Sequence, residues 1–175
     1  MQKISVKALT QIALLIALEV ILTRFFSIQT PLVRIGFGFL PIAMIAMLHG
    51  PLLAGISYAI GDIIGAMFLP IGPAPYFPGF TLSHFLTGVI FGLFLYSKSK
   101  DMVRIVAAVV AVNVFIRIGL TTVWLSILWE DAFIALLPAR ILAAAIMAPI
   151  QIICIRLIAS ERFYALFGSR PVSTN

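Results

Sequence analysis

Four hydrogen-bonding side chains recur along one apolar stretch: Asn113, Arg117, Thr121 and Trp124 stand at i, i+4, i+8 and i+11. In an α-helix that spacing lines one face. Such a stripe points into a protein interior rather than into lipid, because an ionised group at membrane depth costs at least ~2.5 kcal/mol on insertion scales. Arg117 therefore calls either for a carboxylate partner that fixes helix packing, with Asp62 the candidate, or for an anionic ligand. Arg34 and Arg140 can converge with Arg117 on one end of a bundle, with Asp62 and Glu19 to offset them. Arginine forks onto carboxylates in bidentate fashion, so this set favours an anion bearing carboxylates. The aromatics Tyr76, Phe77, Phe80 and Trp124 can stack on a planar ring system. Asp62 can accept from the ring N–H and amino donors of such a heterocycle. For Tyr76 and Phe77 the other reading is anchoring at a membrane interface.

His84 lies near Thr81 and Thr87, a setting for a hydrogen-bonded interior histidine that can also face a ligand. The chain has two histidines and one cysteine, Cys154, with no Cys/His/carboxylate cluster, so no metal site is expected. The single cysteine excludes an internal disulfide. No H-E-x-x-H, phosphate loop or Ser/His/Asp spacing occurs, and no cofactor is called for. An enzyme is not expected, and any ATP-driven cycle has to be run by partner subunits.

The elements that carry these residues are apolar throughout. Of 175 residues 62% are hydrophobic and 10% charged, against about 25% charged in a typical soluble domain. The composition is that of an all-α integral membrane protein, residues 1–175 forming one transmembrane domain. With ~20 residues per crossing, six helices fit with short loops and leave no room for a soluble catalytic domain. The expected spans are residues 6–26, 39–48, 52–69, 81–96, 103–128 and 135–158, the second short for a full crossing. Glu19 and Arg24 interrupt the first apolar stretch, so it does not read as a cleavable signal. The net charge of +6 comes from scattered basic residues, which argues against nucleic acid.

Those basic residues give an orientation. Lys3, Lys7, Lys98, Lys100, Arg104, Arg156, Arg162 and Arg170 fall on the side of the termini, while Arg24, Arg34 and Arg140 lie near the other. The positive-inside rule then puts both termini in the cytoplasm of a multi-pass cell-membrane protein. The connectors at residues 27–38, 70–80 and 129–132 face outside. Residues 70–80 hold four prolines, two glycines and three aromatics without a charge. Proline removes backbone donors, so a break in helix is expected here. An apolar, stiff connector of this kind suits the wall of a cavity.

Several blocks resemble the folate-specific S components of energy-coupling factor (ECF) transporters. They are Arg34-Ile-Gly-Phe-Gly-Phe-Leu-Pro41, Gly61-Asp62-Ile-Ile-Gly65, Tyr76-Phe-Pro-Gly-Phe-Thr-Leu-Ser83 and Leu136-Leu-Pro-Ala-Arg140. The resemblance covers nearly the whole chain. It implies a six-helix bundle that binds folate from outside and associates with a transmembrane coupling protein and two ATPase subunits. It implies that Ala13 and Ala17 dock on the coupling protein through an Ala-x-x-x-Ala pair, and that residues 27–38 close over the ligand. Release inside would follow from the whole subunit toppling in the bilayer. Folate joins a planar pterin to a glutamate with two carboxylates, the shape that the arginines and aromatics ask for. The alternatives are an S component for another vitamin, such as pantothenate, or a membrane structural or assembly protein whose buried charges only specify packing.

Overall fold

The computed structural model describes residues 5–29, 34–69, 76–97, 101–130 and 132–160. The chain begins with α1 (Val6–Arg24), whose first turn is capped by Ser5: its hydroxyl accepts from the Ala8 N–H at 3.2 Å. A two-stranded antiparallel hairpin follows, β1 (Ser27–Gln29) against β2 (Arg34–Gly36), with Ser27 opposite Gly36. The expected loop between the first two spans thus carries a short β-ribbon in an otherwise all-helical fold. Three residues per strand are too few for an alternating pattern to register in sequence.

Next come α2 (Phe39–His49) and α3 (Pro51–Phe68). Gly50 joins them at φ 91°, in the region that side-chain-bearing residues avoid, and Pro51 opens α3 where a missing N–H costs nothing. α2 has eleven residues, or about 16 Å of rise, against the ~30 Å of a bilayer core. It is buried on all sides, from Phe39 through Met47 except Leu40. A helix apolar all round belongs in the centre of a bundle. Among the described residues five helices are long and apolar enough to cross a membrane, and α2 is a shorter sixth packed among them.

α4 (Pro78–Leu95) starts three residues earlier than the proline content suggests. Pro78 opens the helix instead of interrupting it, because the first-turn N–H groups have no intrahelical partner to lose. Of the connector, residues 70–75 lie outside the described residues. α3 and α4 press closely together: a Cβ on Gly88 would fall 2.5 Å from the Ala54 carbonyl oxygen. The fifth span, Met102–Trp129, is one long helix in three parts. These are α5 (Met102–Ala111), a π-helical segment (Val112–Leu120) and α6 (Thr121–Trp129). Glu130 ends it in the left-handed region at φ 55°. α7 (Phe133–Ile158) completes the bundle, with Pro138 and Pro149 inside it. The basic residues Lys3, Lys98, Lys100, Arg162 and Arg170 lie outside the described residues, as does Asp131.

Large apolar side chains such as Leu14, Leu18, Phe115, Ile134 and Leu142 are exposed, as lipid-facing positions are. The core gathers around α2, where Ile42, Ile45, Phe91, Leu95, Ile105, Val109 and Met147 are buried.

Candidate functional site

In this up-and-down bundle the C-terminal ends of α1, α3 and the fifth span share one end with the N-terminal ends of α2, α4 and α7. Chemistry-bearing residues gather there in two groups, joined by an aromatic wall.

The first group is built around carboxylates. Asp62, in the second half of α3, is 10% exposed and accepts from Thr81 Oγ1 at 2.7 Å. The Thr81 hydroxyl lies 2.9 Å from the Tyr76 hydroxyl. Thr81 has one proton and spends it on Asp62, so Tyr76 donates to Thr81. A chain of hydroxyls thus links the connector before α4 to a carboxylate on α3. His84 Nδ1 lies 3.3 Å from the other Asp62 oxygen. Its ring packs on Tyr58, with centroids 4.4 Å apart and planes at 60°. Glu19 on α1 is buried, accepts from Thr23 Oγ1 at 2.8 Å, and lies against Gly61, where a Cβ would collide with its Oε2. Arg24 packs on Gly65 in the same way, so two glycines of α3 make room for two ionisable side chains of α1. Gly38, at the foot of the hairpin, closes over Thr23.

The aromatic wall is Phe77, Phe80 and Trp124. Phe77 meets Phe80 edge-on at 5.7 Å and Trp124 at 5.8 Å, within the range of favourable aromatic pairs. Trp124 Nε1 donates to Ser83 Oγ at 3.1 Å, which ties the fifth span to α4. Gly79 is the floor beneath them: a Cβ there would collide with Phe77 and stand 2.7 Å from Trp124.

The second group is cationic. Arg117, half-buried in the π-helical segment, and Arg140, in the second turn of α7, lie near enough for their like charges to act on each other. Arg140 Nε is buried and has no hydrogen-bond partner among the described residues. Two arginines in a low-dielectric setting repel unless an anion lies between or beside them. The arrangement suits a carboxylate.

Of the residues expected from sequence, Asp62, Tyr76 and His84 come together, as do Phe77, Phe80 and Trp124, and Arg117 and Arg140. Thr121 is half-buried, while its neighbour Thr122 is the fully buried hydroxyl. Asn113 is buried, and both its amide protons are engaged, by the Val109 carbonyl and by Gln151 Oε1 at 2.8 Å each. It joins the fifth span to α7 instead of lining the aromatic wall. Arg34 opens β2 opposite Gln29; its side chain lies outside the described residues. The partner of Asp62 in this structure is α4 through Thr81 and His84, which the Arg117–Asp62 pairing did not anticipate. Ala13 and Ala17 are both exposed on α1. Among the described residues no group of three metal-ligating side chains occurs.

Sequence reasoning left Thr81, Ser83, Tyr58, Thr122 and Gln151 unassigned, and treated Glu19 only as a counter-charge. Gln151 carried a signal, being a lone amide in an apolar run. Thr81 and Ser83 gave none, because small hydroxyls are common in membrane helices and bond their own backbone.

Residues 3–160 match the family model described as the ECF-type riboflavin transporter, S component. The chain is 46% identical over 155 residues to the folate transporter FolT of Clostridium novyi (strain NT), covering 89% of this chain and 88% of that protein. It is 31% identical over 156 residues to FolT of Leuconostoc mesenteroides subsp. mesenteroides, covering 86% and 83%. Among solved structures, the crystal structure of FolT bound with folic acid superposes with a TM-score of 0.81 at 34% identity, over 98% of this chain and 99% of that one.

Proposed function

The chain belongs to the S components of ECF-type transporters, and on that premise we propose that it is the subunit that captures folate for an ATP-driven importer. The observation that carries the choice of ligand is the Arg117–Arg140 pair, with a buried donor on Arg140 still to be met. Folate brings two carboxylates to such a pair. Riboflavin, the vitamin named by the matching family model, is a flat ring with a neutral polyol and brings none. Pantothenate has a carboxylate but no ring to meet Phe77, Phe80 and Trp124. The two relatives and the solved structure that carry folate in their names support the same choice.

In this reading the pterin lies against the aromatic wall with its amino and ring N–H donors toward Asp62. Thr81 and His84 hold the carboxylate oriented and still leave it lone pairs, since a carboxylate offers about four acceptor sites. Tyr76 closes the pterin end, and Arg117 and Arg140, with Arg34 from the hairpin, take the glutamate. The excess of basic residues near the termini puts those termini in the cytoplasm and the site outside. The small exposed face at Ala13 and Ala17 then docks on a transmembrane coupling protein. Two partner ATPases drive a toppling motion that turns the site inward.

Mass spectrometry of the small molecules retained by the detergent-purified protein tests the ligand. A folate is the expected species; retention of riboflavin or pantothenate in its place overturns the reading.

A further inference from the structure

The middle of the fifth span departs from α geometry for nine residues, Val112–Leu120. π-helical hydrogen bonding is usually a single-turn bulge, and a longer run needs something to hold its register. Side chains do so at both ends. At the start, Asn113 Nδ2 donates to the Val109 carbonyl at 2.8 Å, the acceptor that the residue's own backbone N–H would use in an α-helix. The same amide nitrogen reaches Gln151 Oε1 on α7, also at 2.8 Å, so the start of the segment is pinned to a neighbouring helix.

The other end has a definite defect to repair. Thr121 N–H bonds the Ile116 carbonyl, five residues back. Where a helix returns from five-residue to four-residue spacing, one carbonyl is left out of the ladder. A passed-over buried carbonyl needs a donor. Thr122 Oγ1 donates to the Arg117 carbonyl at 3.4 Å, reaching back five residues. Elsewhere in the bundle Ser83 and Thr87 reach back four, as α-helical hydroxyls do. The acceptor bonded in this way belongs to Arg117, whose charge acts on Arg140.

We propose that Thr122 and the Asn113–Gln151 pair are positioning residues for the anionic end of the ligand, holding the π register that carries Arg117 to Arg140. Without that register the same sequence would wind as an α-helix and turn Arg117 away from its present direction. The inference rests on the reading of Arg117 and Arg140 as the glutamate site, and its test separates the two.

Affinities for folate and for pteroate, which lacks the glutamate, are compared in the full-length protein in detergent. Thr122→Val keeps the side-chain shape and removes the donor. Folate affinity is expected to fall roughly threefold or more, the worth of one weak, partly buried hydrogen bond, with pteroate affinity changed by less than about twofold. Thr122→Ser retains the donor and keeps the parent ratio. Gln151→Leu is a second arm, acting at the far end of the segment with the same expected selectivity. Equal losses for folate and pteroate, or no loss for either ligand, overturn the inference. Arg117→Met is the control: if it leaves the folate-to-pteroate ratio unchanged, the glutamate site itself is misassigned and the inference falls with it. If it collapses the ratio while Thr122→Val and Gln151→Leu do not, the positioning role alone is wrong.

Discussion

Thr81 on α4 donates a 2.7 Å hydrogen bond to Asp62 on α3, so the start of the fourth helix is fastened to a largely buried carboxylate on the third. Through Tyr76 the same hydroxyl holds the end of the preceding connector. A single threonine thus orients the acceptor proposed for the pterin and anchors the segment beside it.

Thr81→Val should therefore weaken folate binding about tenfold or more, since hydrogen bonds to charged groups contribute roughly 1.5–3 kcal/mol. Tyr76→Phe removes only the outer link and should cost less, within roughly 0.5–1.5 kcal/mol. Calorimetric titration of the two variants measures the order of the effects. A larger loss from Tyr76→Phe would mean that the hydroxyl chain does not work through Asp62.

The close fit of α1 on α3 gives a stability prediction. Gly61→Ala drives a methyl group into Glu19 Oε2, and overpacking of this kind costs about 1–3 kcal/mol. The melting temperature in detergent should fall. Glu19→Ala in the same chain removes the obstacle, so the double variant should lose less than the sum of the two single losses. Simple additivity would show that the two residues do not share that space.

The helical scaffold was legible from hydropathy, and the Gly50–Pro51 junction from the conformational demands of its two residues. The fifth span shows where such reading stops. Stepping by i, i+4 and i+8 assumes α-helical winding, and the π segment between Asn113 and Thr121 breaks that assumption. The arithmetic set Arg117 and Trp124 on one face, and Trp124 does meet Phe77. It put Asn113 in the wrong company, because the partner that claims its amide, Gln151, lies 38 residues away in the chain. It also chose Thr121 over Thr122, the hydroxyl that the extra residue per turn carries inward. The burial of Glu19 was illegible for a related reason: it depends on a tertiary contact with Gly61 that no local pattern records.

Ala13 and Ala17 are exposed on α1, four residues apart. A bulky side chain on that face should interfere with docking and leave capture alone. Ala13→Trp or Ala17→Trp should abolish co-purification with the coupling protein and ATPases, and with it uptake, while folate affinity stays within about twofold. Loss of folate binding in either variant would place that face at the ligand site.

The central claim is that the bundle selects a carboxylate-bearing pterin over a neutral flavin. Calorimetric titration of the ligand-free, detergent-purified protein with folate and then riboflavin, without nucleotide or partner subunits, tests it most directly. The account predicts saturable one-to-one binding of folate and no measurable heat from riboflavin. Binding of riboflavin with no response to folate would contradict it.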